Sequence, residues 1–319
     1  MPVVPNGFRG ARITGWGAAL PDKIVTNDDL RASGLDTSDE WIRDRTGIAE
    51  RRVGGSTASL SIESGRKAIE RAGIDPSQID GLVLATTTPD RTVPATSATV
   101  QQGLGLRCGA FDVNAACSGW TYALIVAHGL IGAGMNRVLV IGTDTLSRIT
   151  DWTDRNTAIL FADGSGAVVL EAMDGPGQLL GWDIDADGSA EGALYADVGG
   201  YIHMDGKEVF RRAVMIMADS ARKSLAAAGV GVDDIDIVIP HQANIRIIDA
   251  SCRRLGIPVE KTSIVLDRTG NTSSASVPLA LVEALDTGRI NNGDLVLLVG
   301  FGAGMTAASA VIRWGGVEP

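Results

Sequence analysis

The chain has 319 residues, of which 45% are hydrophobic and 21% are charged, and this composition excludes disordered, collagen-like and coiled-coil proteins. Its length fits one large domain or two halves with a sizeable core. The formal net charge of −10 disfavours a broad basic surface for nucleic acid, and the 40 glycines allow backbone segments to approach one another closely.

The cysteines, the histidines and the first residues limit the class of protein further. Cys108, Cys117 and Cys252 are odd in number and widely spaced, which argues against a disulfide framework and favours a reducing compartment. No C-x-x-C or H-x-x-x-H pair is present, so we expect no metal site. The segment Met1–Gly10 lacks the apolar core of a signal peptide. We therefore expect a cytoplasmic protein.

Helical and strand-like segments alternate in chain order. Residues 61–72 and 209–228 have the periodicity of helices, whereas residues 82–86 and 138–142 are continuous apolar runs typical of buried strands. Residues 295–312 carry no charge over 18 positions, but glycines divide them into two short strand-like runs rather than one membrane span. The alternation predicts an α/β fold in which helices cover sheets.

The chain also resembles itself. Residues 66–80 (RKAIERAGIDPSQID) and 222–236 (RKSLAAAGVGVDDID) share six identical positions at an offset of 156 residues. Residues 137–142 (RVLVIG) resemble 294–300 (DLVLLVG) at a similar offset. An offset near half the chain length is too long for a solenoid repeat and predicts two similar halves packed as one unit. The predicted halves are residues 1–175 and 176–319.

Cys117 is the candidate nucleophile. It follows a strand-like run and precedes a helical pattern within residues 111–135. A cysteine at the start of a helix faces unpaired backbone N–H groups and the positive end of the dipole, which lower the pKa of the thiol. The small residues around it leave room for an acyl group, although the pattern alone also fits a buried, inert cysteine. Cys108 and Cys252 lack this setting.

Two residues in the second half are candidate partners of Cys117. His241 follows an apolar run at residues 235–240, and strand ends are where α/β proteins place ligand-binding groups, although a structural histidine fits the same pattern. Asn271 follows Gly270 in a segment that predicts a tight turn able to direct the amide, with an ordinary surface turn as the alternative. The internal repeat aligns this turn roughly with the segment that holds Cys117.

The glycine-rich segment GFGAGMT (300–306) has the look of a dinucleotide-binding loop. Such a loop must be followed by a helix, and residues 307–314 instead read as a strand, so we expect no NAD site. A glycine turn that offers backbone N–H groups to an oxyanion is more consistent with the pattern.

Together these segments resemble the β-ketoacyl-acyl-carrier-protein synthase III family of the thiolase superfamily. The resemblance implies a thiolase-like α/β fold whose two similar halves form a layered α-β-α-β-α sandwich. It covers essentially the whole chain and rests on TNDDL (26–30), TSDEWIRDRTGI (37–48), DVNAACSGWTYAL (112–124), DWTDRNTAILFADGSGAVVL (151–170), PHQANIRII (240–248), TGNTSSASVPLAL (269–281) and GFGAG (300–304).

The resemblance implies an acyltransferase that starts fatty-acid synthesis. Cys117 would take the acyl group of an acyl-CoA, and the acyl-cysteine would condense with malonyl-acyl-carrier protein in a decarboxylative Claisen reaction. His241 and Asn271 would hydrogen-bond the thioester oxygen as it becomes an enolate. The backbone N–H groups of Cys117 and Gly304 would form the oxyanion hole. Acyl-CoA is a substrate, and no resident cofactor is implied.

The resemblance also implies substrate-binding positions. Trp41, Arg45 and Arg155 would hold the adenine of CoA, and Phe210, Ala243 and Asn244 would line the pantetheine tunnel. The chain departs from the family pattern at Lys207, near the tunnel mouth, where Asn is usual, and at Asn156, after the adenine-stacking Arg155, where Gly is usual. Either change would alter the affinity for the thioester carrier rather than the chemistry.

Partner proteins are implied as well. Arg246, Arg253 and Arg254 lie on about one helical face, which the resemblance makes a dock for the acidic carrier protein, with a solvated face as the alternative. Val93 lies in a segment that the family extends across a homodimer into the neighbour's acyl pocket. Because some members have a bulky aromatic residue there, Val93 leads us to expect tolerance of branched or longer acyl groups.

Three other functions have to be weighed against this interpretation of the sequence. A degradative thiolase needs a second catalytic cysteine near the C-terminal glycine turn, and residues 300–306 contain none. A starter-unit ketosynthase or acyltransferase of a polyketide or other secondary-metabolite pathway would retain Cys117, His241 and Asn271, and it stays the main alternative. A catalytically inactive carrier-binding module is disfavoured because the nucleophile is present.

Overall fold

The computed structural model describes residues 9–315, so the predicted absence of a signal peptide in Met1–Gly10 falls almost wholly outside the described residues. The elements of the first half are β1 (Gly10–Ala19), β2 (Ile24–Thr26), α1 (Asn27–Ala32), α2 (Asp39–Thr46), β3 (Glu50–Arg52), α3 (Thr57–Arg71), β4 (Gly81–Ala85), α4 (Thr96–Gly103), β5 (Gly109–Val113), α5 (Gly119–Gly132), β6 (Arg137–Thr145), α6 (Arg155–Ala158) and β7 (Asp163–Met173).

The second half repeats much of this order. Its elements are β8 (Leu179–Asp185), β9 (Leu194–Ala196), β10 (Ile202–Met204), α7 (Gly206–Ala228), β11 (Ile237–Pro240), α8 (Ile245–Leu255), α9 (Leu266–Thr269), α10 (Ser276–Asp286), β12 (Leu295–Gly302) and β13 (Thr306–Arg313). The run that was predicted to form two strands instead of a membrane span is β12 and β13. Within residues 9–315, no helix combines the length and apolarity needed to cross a bilayer.

Two mixed sheets form the framework. The first has the strand order β1-β7-β6-β4-β5, with β4 parallel to both β5 and β6 and with β7 antiparallel to its neighbours. The second has the order β11-β12-β13-β8, with β11 parallel to β12 and β13 antiparallel to its neighbours. The sheets therefore share one pattern, β4-β6-β7 in the first and β11-β12-β13 in the second. The proposed division at residue 175 lies between β7 and β8.

Helices separate and cover the sheets. The layers run from α3 through the first sheet, then α5 with α10, then the second sheet, and end with α7. Helix α5 is apolar on most of its surface, and Trp120, Leu124 and Ile131 are fully buried, as expected for a helix packed on both sides. Helix α3 lies close against β1 because a Cβ at Gly15 would lie 2.1 Å from the Ala68 carbonyl oxygen. The predicted layered α/β fold is confirmed.

Candidate active site

A tight turn presents Cys117 between β5 and α5. Residues Ala116–Ser118 form one 3-10 turn, and Ala116 has a left-handed φ of 48°. The Thr306 hydroxyl donates to the Ala115 carbonyl (2.9 Å) and lies 2.8 Å from the Ser118 hydroxyl, so the start of β13 holds this turn in place. A hydrogen-bonded hydroxyl pair thus joins the two halves beside the nucleophile.

The thiol differs from the sequence-based expectation. We expected the helix N-terminus to lower the pKa of Cys117, but burial raises it to about 12, and the negative charge of Asp144 acts in the same direction. A hydrogen bond from Ser273 opposes the rise without cancelling it. The prediction was wrong because the loss of water around the thiolate is the largest influence on the pKa of Cys117. The resting nucleophile is therefore a protonated thiol.

His241 directly follows β11, at the strand end predicted for it. Its backbone N–H donates to the Val299 carbonyl (2.8 Å), and its buried ring forms a T-shaped pair with Phe301, with 5.4 Å between centroids. Nδ1 lies 2.6 Å from the Ser276 hydroxyl. Burial lowers the pKa of His241 to about 3, so the imidazole is neutral near pH 7.

Asn271 is held by hydrogen bonds of its backbone and of its side-chain oxygen. Its N–H donates to the Leu160 carbonyl, and its own carbonyl accepts from Ala162, both at 2.9 Å. The side-chain Oδ1 accepts from the Ser273 N–H (3.0 Å), which leaves the Nδ2 protons without a partner among residues 9–315. The predicted tight turn is present, since Gly270 has a φ of 68°.

Cys117 lies where two cavities meet. The narrower cavity has a volume of about 120 Å³, and the wider one, about 360 Å³, also contains Gly304 in its wall. Cys117, His241 and Asn271 all line the narrower cavity, which is also lined by the predicted tunnel residues Phe210, Ala243 and Asn244. The structure therefore brings a thiol, a neutral imidazole and a free amide donor to one space.

The predicted nucleotide-binding residues form a cluster at α2 and α6. The guanidinium carbons of Arg45 and Arg155 lie 4.6 and 4.9 Å from the ring centroid of Trp41. The Asn244 side chain donates to the Arg45 carbonyl (3.0 Å), which connects this cluster to the narrow cavity. Arg155 rests directly on Trp41, so a base can enter between them only if the guanidinium moves away.

The predicted carrier-protein dock lies on α8. Arg246, Arg253 and Arg254 are all exposed on this helix. Arg246 forms an ion pair with Asp44 (2.8 Å), whereas Arg253 and Arg254 have no carboxylate partner within residues 9–315. Lys207 is exposed in the first turn of α7, beside residues that line the narrow cavity.

Val93 lies outside both cavities of its own chain. Its side chain is 81% exposed. Its predicted role across a homodimer remains a prediction.

Sequence reasoning missed several residues of the site. Ser276 contacts His241, Ser273 contacts Cys117, and Thr306 fixes the nucleophile turn. The segment 272–276 contains four hydroxyl side chains, and nothing in their order shows which of them faces an active group. Only the folded chain distinguishes them.

Known proteins match this chain over most of its length. A family model described as 3-oxoacyl-[acyl-carrier-protein] synthase III matches residues 111–188, and the model of its C-terminal part matches residues 225–314. The β-ketoacyl-[acyl-carrier-protein] synthase III of Roseiflexus sp. (strain RS-1) is 49% identical, and the match covers 95% of this chain and 98% of that protein. The chain belongs to the β-ketoacyl-acyl-carrier-protein synthase III family.

Solved structures agree with this membership. The 3-oxoacyl-[acyl-carrier-protein] synthase III of Aquifex aeolicus VF5 is 42% identical with a TM-score of 0.93, covering 96% of this chain and all of that one. The priming β-ketosynthase of the R1128 polyketide pathway is 35% identical with a TM-score of 0.91, covering 99% of this chain and 98% of that one. The synthase III fold therefore also serves a polyketide pathway.

Proposed function

We propose that the chain is a condensing acyltransferase that joins an acyl-CoA primer to malonyl-acyl-carrier protein and so initiates fatty-acid synthesis. The observation that carries this proposal is the meeting of Cys117, His241 and Asn271 in one narrow cavity of a synthase III family member. Relatives named β-ketoacyl-[acyl-carrier-protein] synthase III support it over the starter-unit alternative.

In the first half-reaction Cys117 takes the acyl group. Its sulfur forms a bond to the thioester carbon, the bond from that carbon to the CoA sulfur breaks, and the thiol proton leaves with CoA as its free thiol. The backbone N–H groups of Cys117 and Gly304 stabilise the charge on the carbonyl oxygen of the tetrahedral intermediate. Because burial raises the pKa of the resting thiol, Cys117 gives up its proton as its sulfur bonds to the thioester carbon and not beforehand.

In the second half-reaction malonyl-acyl-carrier protein enters the narrow cavity. His241 and the Nδ2 of Asn271 donate hydrogen bonds to its thioester oxygen, which gains charge as CO₂ leaves. The resulting carbanion attacks the acyl carbon on Cys117, and the cysteine leaves as thiolate, which takes a proton from water to restore the resting thiol. A neutral imidazole suits this role because it donates a hydrogen bond without keeping a buried positive charge.

Intact-protein mass spectrometry tests this proposal. Incubation with acyl-CoAs of increasing length and branching should add one acyl group, and malonyl-acyl-carrier protein should remove it. Cys117→Ala should form no adduct, whereas Cys252→Ala, which changes a buried cysteine of α8, should behave like the wild type. The absence of any wild-type adduct would contradict the proposal and favour a carrier-bound donor in a secondary-metabolite pathway.

We further propose a homodimer in a reducing compartment such as the cytoplasm. β5 lies at the edge of the first sheet, and the apolar side chain of Phe111 on this strand is 39% exposed. An edge strand with an exposed aromatic residue is suited to pairing with a second copy. Three free cysteines suit reducing conditions.

The dimer proposal predicts that Phe111→Lys shifts the mass measured by light scattering from dimer towards monomer. The charged side chain would lie in the apolar contact and face its symmetry mate. A Val126→Lys variant tests whether any added charge on an exposed apolar site has this effect, since Val126 is 37% exposed on α5 and not on the edge strand. A Phe111→Lys protein that remains dimeric contradicts pairing through β5.

In the dimer, Val93→Phe should narrow the range of acyl-CoAs that acylate Cys117 to short acyl groups.

A further inference from the structure

A buried carboxylate stands beside the active site without taking part in the proposed chemistry. Asp144, near the end of β6, is fully buried, and no lysine, arginine or histidine within residues 9–315 forms an ion pair with it. Burying an unpaired carboxylate is expensive unless hydrogen bonds satisfy it. Hydrogen bonds must therefore stabilise the buried carboxylate of Asp144.

Seven donors surround this carboxylate. Oδ1 accepts from the hydroxyls of Thr86 (3.1 Å), Thr87 (3.0 Å) and Thr88 (2.9 Å) and from the backbone N–H groups of Thr87 (2.7 Å) and Thr88 (3.1 Å). Oδ2 accepts from the Ser274 N–H (3.0 Å) and the Ser274 hydroxyl. Such a set fits the ionised carboxylate, which only accepts hydrogen bonds.

The two oxygens face different halves of the chain. The threonines follow β4, in the half that carries Cys117, whereas Ser274 belongs to the turn that carries Asn271. That turn is strained, since Ser273 has a left-handed φ of 50°, and a non-glycine residue in this region costs about 1–3 kcal/mol. The turn is also pressed onto β6, because a Cβ at Gly142 would lie 2.4 Å from the Ser274 carbonyl oxygen.

We propose that Asp144 is a positioning residue that fastens the turn carrying Asn271 to the half carrying Cys117, and so sets the spacing of the two groups. This inference rests on the proposed function, in which both groups act on the same pair of substrates. Acylation needs Cys117 and the oxyanion hole but not Asn271, whereas condensation needs Asn271 aligned with the acyl-cysteine. Loss of the link should therefore slow the second half-reaction selectively.

Asp144→Asn tests the link at nearly constant shape. The amide nitrogen replaces one oxygen, so either the threonines or Ser274 lose their acceptor. We expect malonyl-dependent discharge of the acyl-enzyme to slow on the order of 100-fold. Acylation by acyl-CoA should be at least as fast as in the wild type, because loss of the Asp144 charge lowers the pKa of the Cys117 thiol. Both rates are read from the same mass-spectrometric time course.

A second readout reports the charge of Asp144 separately from the link to Ser274. The charge of Asp144 helps to raise the pKa of the Cys117 thiol, so Asp144→Asn should shift alkylation of Cys117 by iodoacetamide to lower pH. The other titratable side chains around the two cavities that meet at Cys117 are Glu191, Tyr195 and His241, and the variant leaves them unchanged. This shift follows from the lost charge alone, so it shows that the site of the variant is folded, and the ratio of the two half-reactions tests the positioning.

Asp163→Asn is the matched control. Asp163 is also fully buried, and it accepts from the Gly54 N–H (2.7 Å) and from the N–H and hydroxyl of Ser147 (2.8 and 2.6 Å), all in the first half. It should keep the wild-type ratio of the two half-reactions and the wild-type alkylation profile. Ser274→Ala removes one donor of the link but keeps the charge, so discharge should slow without a shift in alkylation.

The outcomes are distinguishable. If folded Asp144→Asn discharges its acyl group as fast as Asp163→Asn, the inference is wrong. If Asp144→Asn does not fold, Ser274→Ala decides, and normal discharge in that variant overturns the inference. If the wild type itself forms no acyl-enzyme, the proposed function fails, which is a separate result.

Discussion

The tautomer of His241 depends on one hydroxyl group. The only hydrogen-bond partner of the Ser276 hydroxyl within residues 9–315 is Nδ1 of the ring, 2.6 Å away. We infer that the hydroxyl donates to Nδ1, which leaves the ring proton on Nε2. This tautomer makes Nε2 a donor, which is what the decarboxylation step requires.

Ser276→Ala should therefore slow condensation by about tenfold or more while acylation of Cys117 stays unchanged. The buried Nδ1 loses its partner, which costs about 1–3 kcal/mol, and the ring is free to change tautomer. Nitrogen-15 NMR of the histidine ring measures the tautomer directly. Ser251→Ala is the control, because this buried serine of α8 contacts Met217 and not the site. An unchanged tautomer in Ser276→Ala would contradict the assignment.

At the scale of elements, the β12–β13 hairpin forms a wall against the nucleophile turn. Gly302, at the end of β12, approaches this turn so closely that an added Cβ would lie 2.6 Å from the Cys117 nitrogen and 2.8 Å from the Ala116 Cβ. A methyl group there has to push the turn away. The spacing between Cys117 and the Gly304 N–H thus depends on the lack of a side chain at Gly302.

Gly302→Ala should destabilise the protein by about 1–3 kcal/mol and strongly reduce acylation by acyl-CoA. Gly300→Ala on the same strand is the matched control, since its Cβ would meet the Ser118 Cα at 3.5 Å and the Cys117 oxygen at 3.6 Å, both ordinary contacts. Denaturant unfolding and acyl-enzyme formation are measured on both variants. Equal acylation in the two proteins would show that the hairpin does not set the geometry of the turn.

At the scale of the whole molecule, two buried histidines make the fold sensitive to acid. Burial lowers the pKa of His128 in α5 to about 4 and that of His241 to about 3, from an ordinary value near 6.5. In the unfolded chain both rings take up protons below about pH 6.5, whereas the folded protein keeps them neutral. The free energy of unfolding should therefore fall as the pH drops from about 6.5 towards 4.

In His128→Phe the free energy of unfolding should fall by about 3 kcal/mol less over this pH range, because the variant has no imidazole to protonate at this position. Urea unfolding across this pH range measures the difference. His203→Phe provides the comparison, since His203 is exposed on β10. Parallel pH profiles for the wild type and His128→Phe would contradict the proposed contribution of His128.

The sequence was most informative where function depends on local features. A strand end before His241 and a glycine before Asn271 are visible in the order of residues, and the internal repeat anticipated the shared strand pattern of the two sheets. Ser276 lies 35 residues from His241, and Ser274 lies 130 residues from Asp144, so these contacts leave no local pattern. The pKa of Cys117 was misjudged for the same reason, since its burial comes from distant segments.

Under the proposed function, the narrower of the two cavities at Cys117 makes free CoA an inhibitor of chain initiation. CoA would depart and the carrier arm would arrive along the same cavity, which the predicted tunnel residues Phe210, Ala243 and Asn244 line. The two thioesters must therefore take turns, and spent CoA that remains in this cavity delays the next partner. A high ratio of free to acylated CoA would then slow chain initiation, with no separate effector site required.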